Sequence, residues 1–237
     1  MTNPPDQNAL NSRNSTASVA TRSETDAYLA SIRKHRTSVG TGRLIFALDA
    51  TASREATWDT ACKLQAEMFR EAASAGGLDL QLVYYRGLSE CKASGWISDP
   101  ARLGKIMSAI MCRSGETQIG RVLDHAVKET RLLPVSALVF VGDAFEEGAD
   151  TVIPAAHELG RLGVRAFVFQ EGDDRAVEKV FRQIADVTKG AYCRFDQGSA
   201  HQLAELLRAV AAFVAGGLTA LANRHDAGAV KLLGQLR

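Results

Sequence analysis

Leu44-Ile45-Phe46-Ala47-Leu48-Asp49-Ala50-Thr51-Ala52-Ser53 is the stretch that decides the fold. Its first five residues are apolar at every position, whereas a half-buried strand would alternate. Such a run reads as a strand covered on both faces, as in a parallel sheet between two helical layers. The run ends in an acid and then sets hydroxyls at two-residue intervals, the pattern D-x-T-x-S, ahead of a helical segment. A second continuous run, Ala137-Leu138-Val139-Phe140-Val141, ends in Gly142-Asp143.

Working outward, further β-rich runs occupy 80–85, 164–169 and 191–195. The stretch 90–96, after the turn Arg86-Gly87-Leu88, reads as an antiparallel edge strand. Segments of helical spacing lie between them. Ile119, Val122, Leu123 and Ala126 form one apolar stripe. Val177, Val180, Phe181, Ile184 and Ala185 form a second, and Leu203, Leu206, Leu207, Val210 and Val214 a third. Strand and helix in alternation predict an α/β domain: a doubly wound, mostly parallel sheet with right-handed crossovers and helices on both faces.

The flanks differ in composition. Residues 1–22 are rich in Asn, Ser, Thr and Pro and read as disordered. Residues 23–36 read as a helix capped by Ser23 or Thr25, with Tyr28, Leu29 and Ile32 as its stripe, and a joint follows to residue 42. The domain proper is expected over 43–222, with a tail of helical potential over 223–237.

Composition narrows the function. Of 237 residues, 46% are hydrophobic and 23% charged, which suits a globular domain. The 28 Lys and Arg nearly cancel 27 Asp and Glu, leaving +1 without any like-charge block, so no nucleic-acid or anionic-membrane footprint is expected. Cys62, Cys91, Cys112 and Cys193 lie far apart with no C-x-x-C pair, which argues against zinc and thioredoxin-type chemistry and for a reducing, cytoplasmic setting. The uncharged apolar run between Arg208 and Arg224 is about 15 residues, short of the roughly 20 that cross a bilayer. A soluble protein with no membrane partner is expected.

Three polar clusters fall where open α/β sheets bind ligands, at the carboxyl ends of strands or the start of a crossover helix. These are Asp49-Ala50-Thr51-Ala52-Ser53, Gly115-Glu116-Thr117 and Gly142-Asp143. Asp49, Thr51, Ser53, Thr117 and Asp143 make an all-oxygen set, two carboxylates and three hydroxyls. Hard oxygen donors suit Mg2+, Mn2+ or Ca2+ rather than zinc or copper. Each residue alone could equally be a helix cap. Glu146, Glu147, Glu171, Asp173 and Asp174 read as loop charges or caps; the alternative is extra ligands, or selectors against acidic partners.

The three parts in this order resemble the metal-ion-dependent adhesion site of the von Willebrand factor type A (VWA) family. Thr51 stands where that family has Ser, which preserves the hydroxyl, and Ala144 follows Asp143 where many members have Gly. The resemblance covers about residues 43–215 and implies a Rossmann-like sheet in the order 3-2-1-4-5-6 with strand 3 an antiparallel edge. It implies a metal site of Asp49, Thr51, Ser53, Thr117 and Asp143. It also implies a non-enzymatic, metal-dependent protein-binding module, whose partner supplies an Asp or Glu to the ion. LVYYRG, CKASGW, TQIG and GAYCRF are similar to stretches of bacterial cytoplasmic VWA-domain proteins, some of which resemble adaptors of AAA+ ATPase complexes.

Two rivals remain. A haloacid-dehalogenase-like phosphatase would use Asp49 as nucleophile, but its acid two residues later is Thr51 here, which cannot protonate a leaving group. A metal-independent scaffold would act through its terminal helices. The five histidines show no i, i+4 pair, and Trp58 and Trp96 read as buried.

Overall fold

A computed structural model of the chain describes residues 42–55, 78–196 and 199–236. The chain divides into two compact units, Met1–Val39 and Gly40–Arg237, and the described residues belong to the second. The expected disordered segment 1–22, the helix 23–36, most of the joint, Cys62 and Trp58 lie outside the described residues.

Strands β1 (Gly42–Asp49), β2 (Leu78–Arg86), β3 (Glu90–Ala93), β4 (Ala137–Gly142), β5 (Arg165–Glu171) and β6 (Ala191–Phe195) form one sheet. Its order is β3-β2-β1-β4-β5-β6. Every pairing is parallel except β2 with β3. The edge strand is shorter than the 90–96 run: after Ala93 only Ser94 N–H and an isolated Leu80–Ile97 bridge continue the pairing.

Six helices are described: α1 (Pro100–Ser108), α2 (Ile119–Leu132), α3 (Ala149–Arg161), α4 (Arg175–Val187), α5 (Ala200–Ala222) and α6 (Ala227–Leu233). The unbroken apolar runs divide by parity. Leu44, Phe46 and Leu48 enter one core with Leu103 and Met107 of α1, Leu206 and Leu207 of α5 and Leu232 of α6. Ile45 and Ala47 enter the other with Val122 of α2, Ala156 of α3 and Phe181 of α4. Full burial on both sides is what a two-period chain with no polar position requires.

Helix α4 closes on a polar plug. Buried Thr188 Oγ1 accepts from Ala166 N–H at 3.1 Å and donates to Ile184 C=O at 2.8 Å, and Lys189 follows in the left-handed region at φ 53°. Helix α5 is longer than the uncharged run in the sequence, because Glu205 and Arg208 lie within it. Among the described residues it is the one helix long and apolar enough to cross a membrane, over His201–Ala222 with mean hydropathy 1.5. Its Leu203, Leu206, Leu207 and Val210 are buried against the sheet. Gly216 and Gly217 kink it, with Gly217 at φ 68°, ψ −160°. The tail beyond continues into α6, which packs on α5 and β6.

Candidate metal centre

Register sets the site. Asp49 ends β1 beside Tyr85 of β2. Both are fully buried, and Tyr85 OH donates to Asp49 Oδ2 at 2.9 Å. The other carboxylate oxygen, Oδ1, accepts from Thr51 N–H at 2.7 Å. The chain then turns through a short 3-10 segment, Ala52–Arg54, which brings Thr51 Oγ1 and Ser53 Oγ to 3.1 Å. Burial pushes the Asp49 carboxyl above its ordinary range; the hydroxyl and N–H of Thr51 and the Tyr85 phenol act against that, and the nearby Asp143 charge adds to it.

Asp143 arrives from β4 next door. A Cβ on Gly142 would lie 2.8 Å from the Phe140 ring, so a larger residue here would displace that ring; at 3.7 Å from the Asp49 Cβ it would be in ordinary contact, which places the end of β4 beside Asp49. Asp143 Oδ1 is buried and has no hydrogen-bond partner among the described residues.

Thr117 lies in the loop ahead of α2, and among the described residues its side chain contacts Glu146 and Glu147. Gly115 crosses the β2–β3 turn so closely that a Cβ there would lie 2.1 Å from Gly87 O. Glu116 N–H donates to the same carbonyl at 3.2 Å, and Gln118 Nε2 at 3.1 Å. Thr117 is buried, and its Oγ1 accepts from Glu146 N–H at 2.9 Å while its own N–H donates to Glu146 Oε2 at 3.0 Å. The Gly115-Glu116-Thr117 cluster is thereby tied to the loop that follows Asp143.

The acids flanking the site sort differently from one another. Glu147 accepts from the N–H groups of Ile119 and Gly120, the free donors at the start of α2, so it is a cap. Its carboxyl is pushed up by burial and pulled back by those N–H groups and the Thr117 hydroxyl. Asp174 caps α4 through Ala176 and Val177 N–H. Glu171 is buried and paired with buried Arg54. Sequence reasoning missed Tyr85 and Arg54. Tyr85 was legible only through the β1–β2 register. Arg54 carried no signal, since an Arg after D-x-T-x-S reads as exposed. Burial lowers the pKa of Arg54, and the charges of Asp143 and Asp49 oppose that.

Ser53 and Asp143, with Glu171, Gly172, Asp173 and Asp174, line a cleft of about 210 Å³. Among the described residues no three His, Cys, Asp or Glu side chains gather as a metal cluster. The donors here are two carboxylates and hydroxyls, and they fit a hard divalent cation. The buried, unpartnered Asp143 Oδ1 is the atom such an ion would satisfy. The surroundings are acidic: beyond the Arg54–Glu171 pair, Asp49, Asp143, Asp173 and Asp174 lie at or beside the cleft.

The sequence matches no protein-family profile and no curated protein. Solved structures are similar. A von Willebrand factor type A protein from Catenulispora acidiphila superposes with a TM-score of 0.62 at 18% identity, over 75% of this chain and 43% of that one. The chain therefore spans under half the length of that protein. The vWF domain of the type V pili tip protein Mfa5 from Porphyromonas gingivalis gives 0.59 at 10% identity, over 73% of this chain and 94% of that one. Proximal thread matrix protein 1 from the mussel byssus, with a zinc-occupied MIDAS motif, gives 0.53 at 16%, covering 73% and 46%. Strand order, the antiparallel third strand and these neighbours together identify the fold of the six-stranded sheet and its helices as that of a von Willebrand factor type A domain.

Proposed function

We propose that the chain is a metal-dependent protein-binding module and not an enzyme, with Asp49, Thr51, Ser53, Thr117 and Asp143 holding one Mg2+, Mn2+ or Ca2+ ion. The observation that carries this is the buried Asp143 Oδ1 without a partner among the described residues, set beside a second buried carboxylate and a hydroxyl pair. The ion would offer a partner's Asp or Glu a coordination position. This chain's residues do the rest: Tyr85 and Thr51 N–H orient Asp49, and Glu146 N–H fixes Thr117. The zinc-occupied MIDAS motif of the byssus protein supports the general chemistry. Free Cys91, Cys112 and Cys193 support a reducing, cytoplasmic compartment, where an AAA+ ATPase complex is a candidate partner.

Titration of Mn2+ into the protein by calorimetry tests the ion. The expected result is one site, weakened at least tenfold by Asp143→Ala; heat indistinguishable from buffer would remove the reading. A metal-independent interaction domain is favoured by one observation, the Arg54 guanidinium buried near both carboxylates. Partner capture that survives chelator would decide for it.

A further inference from the structure

The end of the described chain makes a contact that the metal centre does not use. Gln235, exposed and just past α6, directs its primary amide at one residue of β6. Its Oε1 accepts from Tyr192 N–H at 2.9 Å and its Nε2 donates to Tyr192 C=O at 2.8 Å. A residue facing Tyr192 across an antiparallel ladder would form the same two bonds. The side chain is therefore a one-residue substitute for a strand.

β6 ends the sheet, and among the described residues only β5 pairs along it. Its main chain alternates. Phe195 C=O faces inward, accepting from Gly172 N–H at 3.1 Å, while Tyr192 faces outward; the two-residue period turns Arg194 outward with Tyr192. Outward N–H and C=O groups are a template for a further strand.

Beside this rung lies a cleft of about 690 Å³ lined by Arg182, Asp186, Lys189, Gly190, Gly234 and Gln235. Arg182 and Lys189 of this lining are exposed, and so are Arg194 and Lys231, whose charges act on Tyr192 and Cys193 of β6. Asp186 opposes them, and Glu178 is bonded to Arg182. The local balance is positive in a protein whose charges otherwise nearly cancel. The arm that carries Gln235 follows the end of α5, past its Gly216–Gly217 kink, and Gln235 is its only side-chain tie to the β6 main chain among the described residues.

We propose that the outer edge of β6 is a docking site for an extended, acidic segment of a partner protein, which joins the sheet by main-chain pairing at Tyr192 and Arg194. Gln235 occupies that site as a surrogate rung until the segment displaces it. The docking needs no metal ion.

The test uses the full chain in EDTA. The probe is a short fluorescein-labelled peptide of alternating glutamate and valine; controls are the same peptide N-methylated at alternate residues, and one with lysine for glutamate. The probe is expected to bind wild-type protein and to slow amide exchange at Tyr192 and Arg194 by at least about tenfold. Gln235→Ala, a change at an exposed position, is expected to bind about tenfold tighter, because two hydrogen bonds no longer have to be displaced. Gln235→Glu keeps the acceptor, loses the donor and falls between. Equal binding of the N-methylated peptide would reduce the site to a charge patch and overturn the proposal. So would equal binding of the lysine peptide, unslowed exchange at both amides, or no binding to either protein. A Gln235→Ala protein that dimerises and refuses the peptide would assign the edge to a second copy, with the same consequence.

Discussion

Tyr85 and Asp49 face each other across the β1–β2 register, and the phenol donates to the carboxylate at 2.9 Å with both side chains fully buried. Burial drives the Tyr85 pKa well above its ordinary value, and the Asp49 charge adds to that, so the phenol stays a donor. Tyr85→Phe keeps the ring, which stacks 6.3 Å from Phe140, and removes only the donor. The expected cost is about 1–3 kcal/mol of stability in urea unfolding. Mn2+ affinity should fall about tenfold, as for other groups that orient a metal ligand. Unchanged affinity would mean that Asp49 needs no such support.

Gly115→Ala separates loop placement from sheet stability. The new methyl would meet Gly87 O at 2.1 Å, which forces the loop ahead of α2 off the β2–β3 turn and shifts Thr117. The melting temperature should drop by a few degrees, while calorimetric Mn2+ binding is weakened at least tenfold. A variant that binds the ion normally would show that Thr117 is not a ligand.

Arg54 and Glu171 form a buried ion pair, so removal of one partner takes from the other a buried counterion. Arg54→Met should cost about 3–5 kcal/mol in denaturant unfolding, whereas Arg54→Met with Glu171→Leu should recover most of it. Additive losses in the double variant would show that the two charges act through other neighbours.

His125 titrates against folding. Its ring bonds Gln81 Oε1 at 2.8 Å, and burial pushes its pKa below 6.5, with Glu129 opposing and Lys128 adding to the shift. A depressed histidine is protonated more readily in the unfolded chain, so stability is unaffected above pH 6.5 and declines as pH falls below it. Urea midpoints at pH 7.5 and 5.5 should differ more for wild type than for His125→Gln. Equal differences would clear His125 of that role.

Much of the fold was legible because unbroken apolar runs leave few alternatives. Leu44 to Leu48 and Ala137 to Val141 can sit only in the middle of a covered sheet, and they do. Two helices escaped the period search. α1 is short, buries Leu103 and Met107 with Ile106 half-buried beside them, and starts on a side-chain cap from Asp99, while α3 carries Pro154 inside it and packs through Val152, Ile153, Ala156 and Leu159. A proline in the pattern argues against a helix until packing overrules it. The D-x-T-x-S stretch and Asp143 announced the candidate site, but what surrounds it did not show. Whether Arg54 points to water or to Glu171, and whether Glu147 caps α2, depends on contacts between segments far apart in sequence.

Lys189, in the left-handed region at the end of α4, sets two demands against each other. Glycine at such a position is cheaper by about 1 kcal/mol, because no Cβ crowds the preceding carbonyl. Lys189→Gly should therefore yield a more heat-resistant protein, yet one with a cation fewer beside the open strand, so that thermal hardening and acidic-peptide recognition would move in opposite directions at a single codon.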